Sequence, residues 1–190
     1  MTARPSARTE PLRAREKNRP PGEPDDHALG RSRGGWGTKL HLVTDGAGLP
    51  LAVTLSAGQA HESRFAADTL DAVRIERIGP GRPRQRPDRV AADKGYSYDH
   101  VRAWLRGRRV GAVIPERRDP TARRASRPGR ALAFDREAYR RRNVVERCVG
   151  WLEECRALAT RFDKLAVHYL GVLKLAMMRR LLRATLSNRP

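Results

Sequence analysis

The sequence predicts an α/β fold built on a mixed sheet, and three observations carry that reading. Trp36–Thr44 and Leu49–Leu55 alternate apolar and polar residues around a turn, as two antiparallel strands do. Arg89–Asp93, Ser97–Arg108 and Val110–Pro115 come next as strand, helix and strand, a unit whose strands run parallel through a right-handed crossover. Beyond Phe134 the apolar residues recur three and four positions apart, so the C-terminal part is helical.

Composition bounds the function. A chain of 190 residues with 39% hydrophobic content holds one domain of modest core plus tails. Its formal net charge of +19 and pI of about 11.4 point to a polyanionic partner, nucleic acid first. Most of the cations are Arg and Ala is abundant, a skew that GC-rich coding also produces, so the pI overstates that signal. The two cysteines, Cys148 and Cys155, lie seven apart in a predicted helix, roughly 10 Å along one face and too far for a disulfide. They are expected to be reduced and buried. The N-terminus is basic without the apolar core of a signal peptide, and Leu165–Leu182 is interrupted by His168, Lys174, Arg179 and Arg180, so no membrane span is expected.

Met1–Asp26 is rich in Arg, Pro and Glu, has almost no apolar pattern and is expected to be a disordered basic arm ahead of a folded domain over 27–186. The basic loop Gly30–Gly35 presents Arg31 and Arg33 to phosphate oxygens. Lys39, His41 and Val43 alternate with Leu40, Leu42 and Thr44 in the first strand of the hairpin, and Asp45-Gly46 opens its turn. Asp45 is read as a turn residue rather than a catalytic carboxylate. Gly58–Ser63 is a polar loop placed near the candidate site, with Ser63 capping a helix over Arg64–Arg74; His61-Glu62 lacks the second His of a helical zinc motif. Gly79–Pro87 is a loop, and Glu116–Ala133 is a long basic one suited to solvent or to phosphate. The helix beginning near Arg136 buries Val145, Cys148, Val149, Leu152 and Cys155, and carries Tyr139, Arg142, Glu146, Gly150 and Glu153 along a second stripe. A last helix starts near Asp163 and ends around Arg183.

The chemistry centres on Arg89-Val90-Ala91-Ala92-Asp93-Lys94-Gly95-Tyr96. A short apolar run ends on a carboxylate before a glycine, which places Asp93 at the carboxyl edge of a sheet, where open α/β folds build their sites. Hard cations such as Mg2+ take one or two carboxylates and keep several waters, and paired ions can serve phosphodiester chemistry. Asp93 and Glu146 are the candidate pair, with Arg142 one turn from Glu146 to meet a phosphate and Tyr139 to stack on a base. The plainer reading of Arg142 and Glu146 is a surface ion pair.

Four segments in order resemble bacterial insertion-sequence transposases of the DDE class. Asp25-Asp26-His27-Ala28-Leu29-Gly30-Arg31-Ser32-Arg33-Gly34-Gly35 with Thr38-Lys39 looks like their core, and Ala92–Tyr96 is similar to the segment bearing the second catalytic Asp. Tyr139-x2-Arg142-x3-Glu146 is similar to the Tyr–Arg–Glu–Lys signature, whose Glu is the third catalytic carboxylate. Arg161-Phe162-Asp163-Lys164-Leu165 resembles the segment C-terminal to that signature. The resemblance implies an RNase H-like mixed sheet flanked by helices, a site at Asp93 and Glu146 holding Mg2+ (or Mn2+), and DNA contacts from Tyr139, Arg142, Lys94, Arg31, Arg33 and Lys39. It further implies cleavage at the ends of a mobile element, attack of the freed 3′ hydroxyl on target DNA, a homo-oligomer, and a cytoplasmic, nucleoid-associated location.

Two departures shape the expectation for this chain. The family's first catalytic Asp lies on a strand upstream of the Asp25–Gly35 match, whereas Met1–Pro24 holds no Asp and no strand-like run. The first strand is thus expected to be missing and the chain to be an incomplete copy. Glu153 also stands where the signature has Lys, which reverses the charge there. The alternative is a non-catalytic DNA-binding fragment or a decayed remnant.

Overall fold

The computed structural model describes residues 2–6, 27–116 and 134–187. Its spine is β3 (Gly35–Thr44), ten residues long. On one side β3 pairs antiparallel with β4 (Pro50–Ala57), from Thr38↔Ala57 to Thr44↔Pro50, with a register shift between Val43 and Thr44. On the other it pairs first with β2 (Gly30–Ser32) and then, over Thr38–Leu42, with β1 (Thr2–Ser6), both antiparallel. The turn into β4 is set by Asp45, whose Oδ1 accepts the N–H groups of Ala47 and Leu49 at 2.9 and 2.8 Å. That is the Asx-turn role expected of it.

β1 corrects the sequence expectation at the N-terminus. Thr2–Ser6 is not part of a disordered arm but a strand of the main sheet. A ladder is made by backbone groups and needs no apolar alternation, and Pro5 is tolerated because it sits on an edge strand. The strand reads Thr-Ala-Arg-Pro-Ser and brings no carboxylate. Residues 7–26 and the basic loop over 117–133 lie outside the described residues.

The pleat of β3 divides the core in two. Leu42, with Val53 of β4, packs against α4 (Asn143–Glu153) and α6 (Ala166–Ser187) through Cys148, Val149, Leu152, Tyr169, Leu173 and Met177. Val43 packs instead on the second cluster, made by α1 (Ala66–Asp71), β5 (Arg89–Ala91), α2 (Asp99–Gly107) and the end of β6 (Gly111–Val113). β5 and β6 are parallel, from Arg89↔Gly111 to Ala91↔Val113, as the strand–helix–strand pattern predicts. Full burial of a side chain such as Leu42 or Leu173 contributes about 1.5–3 kcal/mol each.

Two predicted helices are shorter or more broken than their periodicity suggests. Arg64–Arg74 becomes a one-turn 3-10 helix over Glu62–Phe65 followed by α1, and His61 rather than Ser63 caps it, its ring accepting the Ser63 N–H. The helix begun near Arg136 is three pieces: α3 (Arg136–Arg140), α4, and α5 (Arg156–Ala159). Cys155 therefore lies at the start of α5 and not on one continuous face with Cys148; both are free thiols. Gly58 is required by close approach, since a β-carbon there would fall 2.6 Å from the Gly30 carbonyl oxygen and 2.9 Å from that of Gly37.

A fully buried Arg161 locks the C-terminal helices to the sheet. Its Nη1 donates to Thr38 Oγ1 at 2.5 Å, Nε to the Asp163 carbonyl at 3.0 Å and Nη2 to the Lys164 carbonyl at 3.3 Å. Thr38 Oγ1 in turn donates to the Ala28 carbonyl at 2.7 Å. Arg161→Ala would leave buried acceptors unmet and is expected to destabilise the fold by about 2–4 kcal/mol. Urea unfolding measures this, and a loss below about 0.5 kcal/mol would contradict the role given to Arg161.

Candidate functional site

Asp93 follows β5 directly. The ladder to β6 continues through the Ala92 N–H, which donates to the Val113 carbonyl at 3.3 Å. The chain then turns into a one-turn 3-10 helix over Lys94–Tyr96 that Asp93 caps, its Oδ1 accepting the Lys94 N–H at 2.5 Å. The half-buried Asp93 is thereby held at the carboxyl edge of a parallel pair, where its sequence context places it.

That turn is anchored from below. Tyr96 and His41 are both fully buried, and the Tyr96 hydroxyl shares a 3.3 Å hydrogen bond with His41 Nδ1. His41 Nε2 shares a 2.7 Å bond with Ser56 Oγ of β4, and the ring stacks on Phe65 at 4.8 Å. Burial, assisted by the charge of Lys39, lowers the His41 pKa to about 4, so the imidazole is neutral with one nitrogen donating and the other accepting. Burial first, then the charges of Glu62 and Asp93, raise the Tyr96 hydroxyl well above its ordinary value.

The sequence reading missed Glu62. Its carboxylate lies against Gly95, where a β-carbon would have to displace it, and it pairs with Lys39 Nζ at 3.6 Å. The polar loop over 58–63 therefore lies beside the Asp93 turn, as expected of it. Its His61 bonds the Tyr98 hydroxyl through Nε2 at 2.8 Å and Ser63 Oγ through Nδ1 at 2.9 Å. The available signal was period two: the residue parity that sends His41 toward Tyr96 also sends Lys39 toward this loop.

Tyr139, Arg142 and Glu146 are brought together across the junction of α3 and α4. Asp135 caps α3, accepting the Ala138 N–H at 2.8 Å. Arg142 closes the junction: its Nη2 donates to Glu146 Oε1 at 2.7 Å, and its guanidinium lies 5.3 Å from the Tyr139 ring centre. The Arg142 side chain is 14% exposed and that of Glu146 44%. The Nε and Nη1 of Arg142 are buried without a partner among the described residues, as is Thr44 Oγ1. Arg142 lines a cavity of about 720 Å³ between Val43 and Thr44 at the end of β3, Val90 and Ala91 of β5, and Val144 and Val145 of α4.

The other predicted contacts are distributed. Arg31 on β2, Arg33 in the β2–β3 turn and Lys94 are exposed. Lys39 is turned inward to Glu62 and to the Ala60 carbonyl, 3.0 Å away. Asp93 and Glu146 share no hydrogen-bonding partner, the one accepting from Lys94 and the other from Arg142. Among the described residues no group of three or more His, Cys, Asp or Glu converges as a metal site. Glu153, half-buried, ends α4.

Comparison with known proteins gives the same direction. The family described as transposase DDE domain matches residues 13–181. A putative transposase for insertion sequence element IS402 of Burkholderia cepacia is 35% identical over 139 residues, 73% of this chain and 60% of the relative. A putative transposase for insertion sequence element IS6501 of Brucella ovis is 30% identical over 139 residues, 73% of this chain and 93% of the relative. The chain thus spans under two thirds of the length of the first relative and most of the second. No solved structure matches it.

The His41 anchor makes a pH prediction. Between pH 6.5 and about 4 the unfolded chain binds a proton at this position that the folded chain refuses. The stabilisation is complete above about pH 6.5 and is lost as the pH falls, by about 3 kcal/mol over the window. Denaturant unfolding from pH 7 to 5 should show about 2 kcal/mol of this loss in the native chain and a flatter dependence in His41→Gln; equal slopes would contradict it.

Proposed function

This chain belongs to the transposase DDE-domain family, and on that premise we propose that it forms the carboxylate-bearing part of a DNA transposase that cuts and rejoins the ends of an insertion sequence. The observation that carries the reading is Arg142. Two of its nitrogens, Nε and Nη1, are buried without a partner among the described residues; the residue lines a cavity and lies beside Glu146 and the Tyr139 ring. An unmet buried donor costs about 1–3 kcal/mol, which a phosphate oxygen entering the cavity would offset. Tyr139 then stands ready to stack on a base or bond the backbone. The net charge of +19, with Arg31, Arg33 and Lys94 exposed, draws DNA in and binds it without reading sequence.

Asp93 and Glu146 are the residues that would hold a divalent cation, Mg2+ or Mn2+ in this reading. Their donor chemistry fits: both are oxygen ligands reachable from solvent, and such an ion accepts two carboxylates while retaining waters. When bound, the ion would polarise the scissile phosphate and its attacking water. The chain's own part is to keep Asp93 fixed through Tyr96 and His41, and to release Glu146 from Arg142 as the guanidinium turns to phosphate. Glu146 is the more exposed partner, at 44% against 14% for Arg142, so water can take up its carboxylate when the guanidinium turns away.

The finer fold assignment in this proposal is RNase H-like. It is supported by the order of the elements, antiparallel strands and then a parallel strand–helix–strand unit, although among the described residues β5 and β6 pair as a separate two-stranded sheet rather than joining β1–β4 in the one mixed sheet expected. The proposal also includes a homo-oligomer working on element ends and target DNA in the cytoplasm. No described helix is long and apolar enough to cross a membrane. A second reading, a DNA-binding chain without catalysis, is favoured by one observation: no third metal ligand gathers among the described residues.

Nicking of supercoiled DNA in Mn2+ separates the two. Under the transposase reading, Asp93→Asn and Glu146→Gln each lower nicking at least about 100-fold without weakening DNA binding. Nicking equal in the native chain and both variants would overturn the catalytic reading and leave the binding one. In either case Arg142→Ala should weaken DNA binding about 10-fold at fixed salt and flatten the salt slope by about one ion. Unchanged affinity on titration would remove Arg142 from the interface.

A further inference from the structure

The outer face of α6 takes no part in the cation site or the phosphate contacts. Its inner face, with Tyr169, Leu173 and Met177, is spent on the core. The opposite side carries Leu175 at 62%, Met178 at 52%, Leu182 at 62% and Leu186 at 60% exposure. Gly171, Leu175, Met178, Leu182 and Thr185 succeed one another in steps of four, three, four and three, the seam of a coiled coil. Isolated exposed leucines need no explanation, but a seam along most of a 22-residue helix does.

The flanks say what fits. Lys174 and Arg179 occupy flanking positions on opposite sides of the seam, the other flanking positions hold Val172, Leu181 and Leu186, and no Asp or Glu occurs from Lys164 to Pro190. In paired helices the flanking positions of the two partners meet. A second copy would bring cation to cation. Residues 7–26 offer Leu12 as their one large aliphatic side chain, and residues 117–133 offer Leu132 among many arginines, so neither can supply a complementary seam. We infer that the outer face of α6 docks an amphipathic helix with acidic flanks, carried by a partner polypeptide. Heptad spacing favours a helix over a planar lipid surface, which would be met by a broader apolar arc.

Three labelled synthetic 28-residue peptides test this on the full chain by fluorescence anisotropy. The first has Leu at the seam positions and Glu at the flanks. The second has Lys at the flanks, and the third is a scrambled version of the first. The acidic heptad peptide should bind at least 10-fold more tightly than either control at 0.1 M NaCl, and at 0.5 M NaCl its margin over the Lys-flanked peptide should shrink while that over the scrambled peptide persists. Leu182→Glu should lower its affinity at least 10-fold with an unchanged thermal melt, since that side chain is already in water. Equal binding of the scrambled peptide would reduce the effect to bulk charge and overturn the inference. So would an indifferent Leu182→Glu variant, self-association in sedimentation that Leu182→Glu disperses, or phosphatidylglycerol vesicles captured through the same leucine.

Discussion

Everything in this fold hangs from the two faces of β3. A strand has no choice about its pleat: neighbouring side chains leave on opposite sides. Here Thr38 and Leu42 go to the C-terminal helices, while Lys39, His41 and Val43 go to the unit that carries Asp93. The strand is thus the common wall of two cores. Arg161 fastens one side by bonding Thr38, and Tyr96 fastens the other by bonding His41. Both anchors are polar and fully buried, so their geometry is exacting: a shifted strand would strand a guanidinium on one face and an imidazole on the other.

This arrangement explains how a chain with a modest core can hold a carboxylate steady. Asp93 is fixed by ladder, cap and anchor together, and little about it depends on surface charge. The Arg142 and Glu146 pair is of the opposite kind. It is joined by an ion pair, Arg142 lines a cavity, and two of its guanidinium nitrogens have no partner among the described residues.

Much of this was legible in the sequence because it rests on period and punctuation. Alternation over 36–44 gave β3, Asp45-Gly46 gave its turn, and the apolar run closed by Gly95 gave the edge on which Asp93 sits. What escaped rests on contacts between distant segments. Thr2–Ser6 has no strand pattern and pairs because β3 offers it backbone groups. The breaks at 141–142 and 154–155 fall inside a continuous helical periodicity, since an apolar stripe is indifferent to a one-residue kink. Arg161 reads locally as a surface cation, and Glu62 as a loop acid; only the packing of Thr38 and Gly95 against them gives each a role.

The central claim is that Asp93 and Glu146 serve one divalent-cation site, and iron-directed cleavage of the polypeptide tests it without requiring turnover. With Fe2+ in place of Mg2+ and peroxide present, hydroxyl radicals cut the chain beside the bound ion. The account predicts cuts close to both Asp93 and Glu146, suppressed by excess Mg2+ and lost together in Asp93→Asn. Cuts at neither position, or cuts near Glu146 that persist in Asp93→Asn, would contradict it.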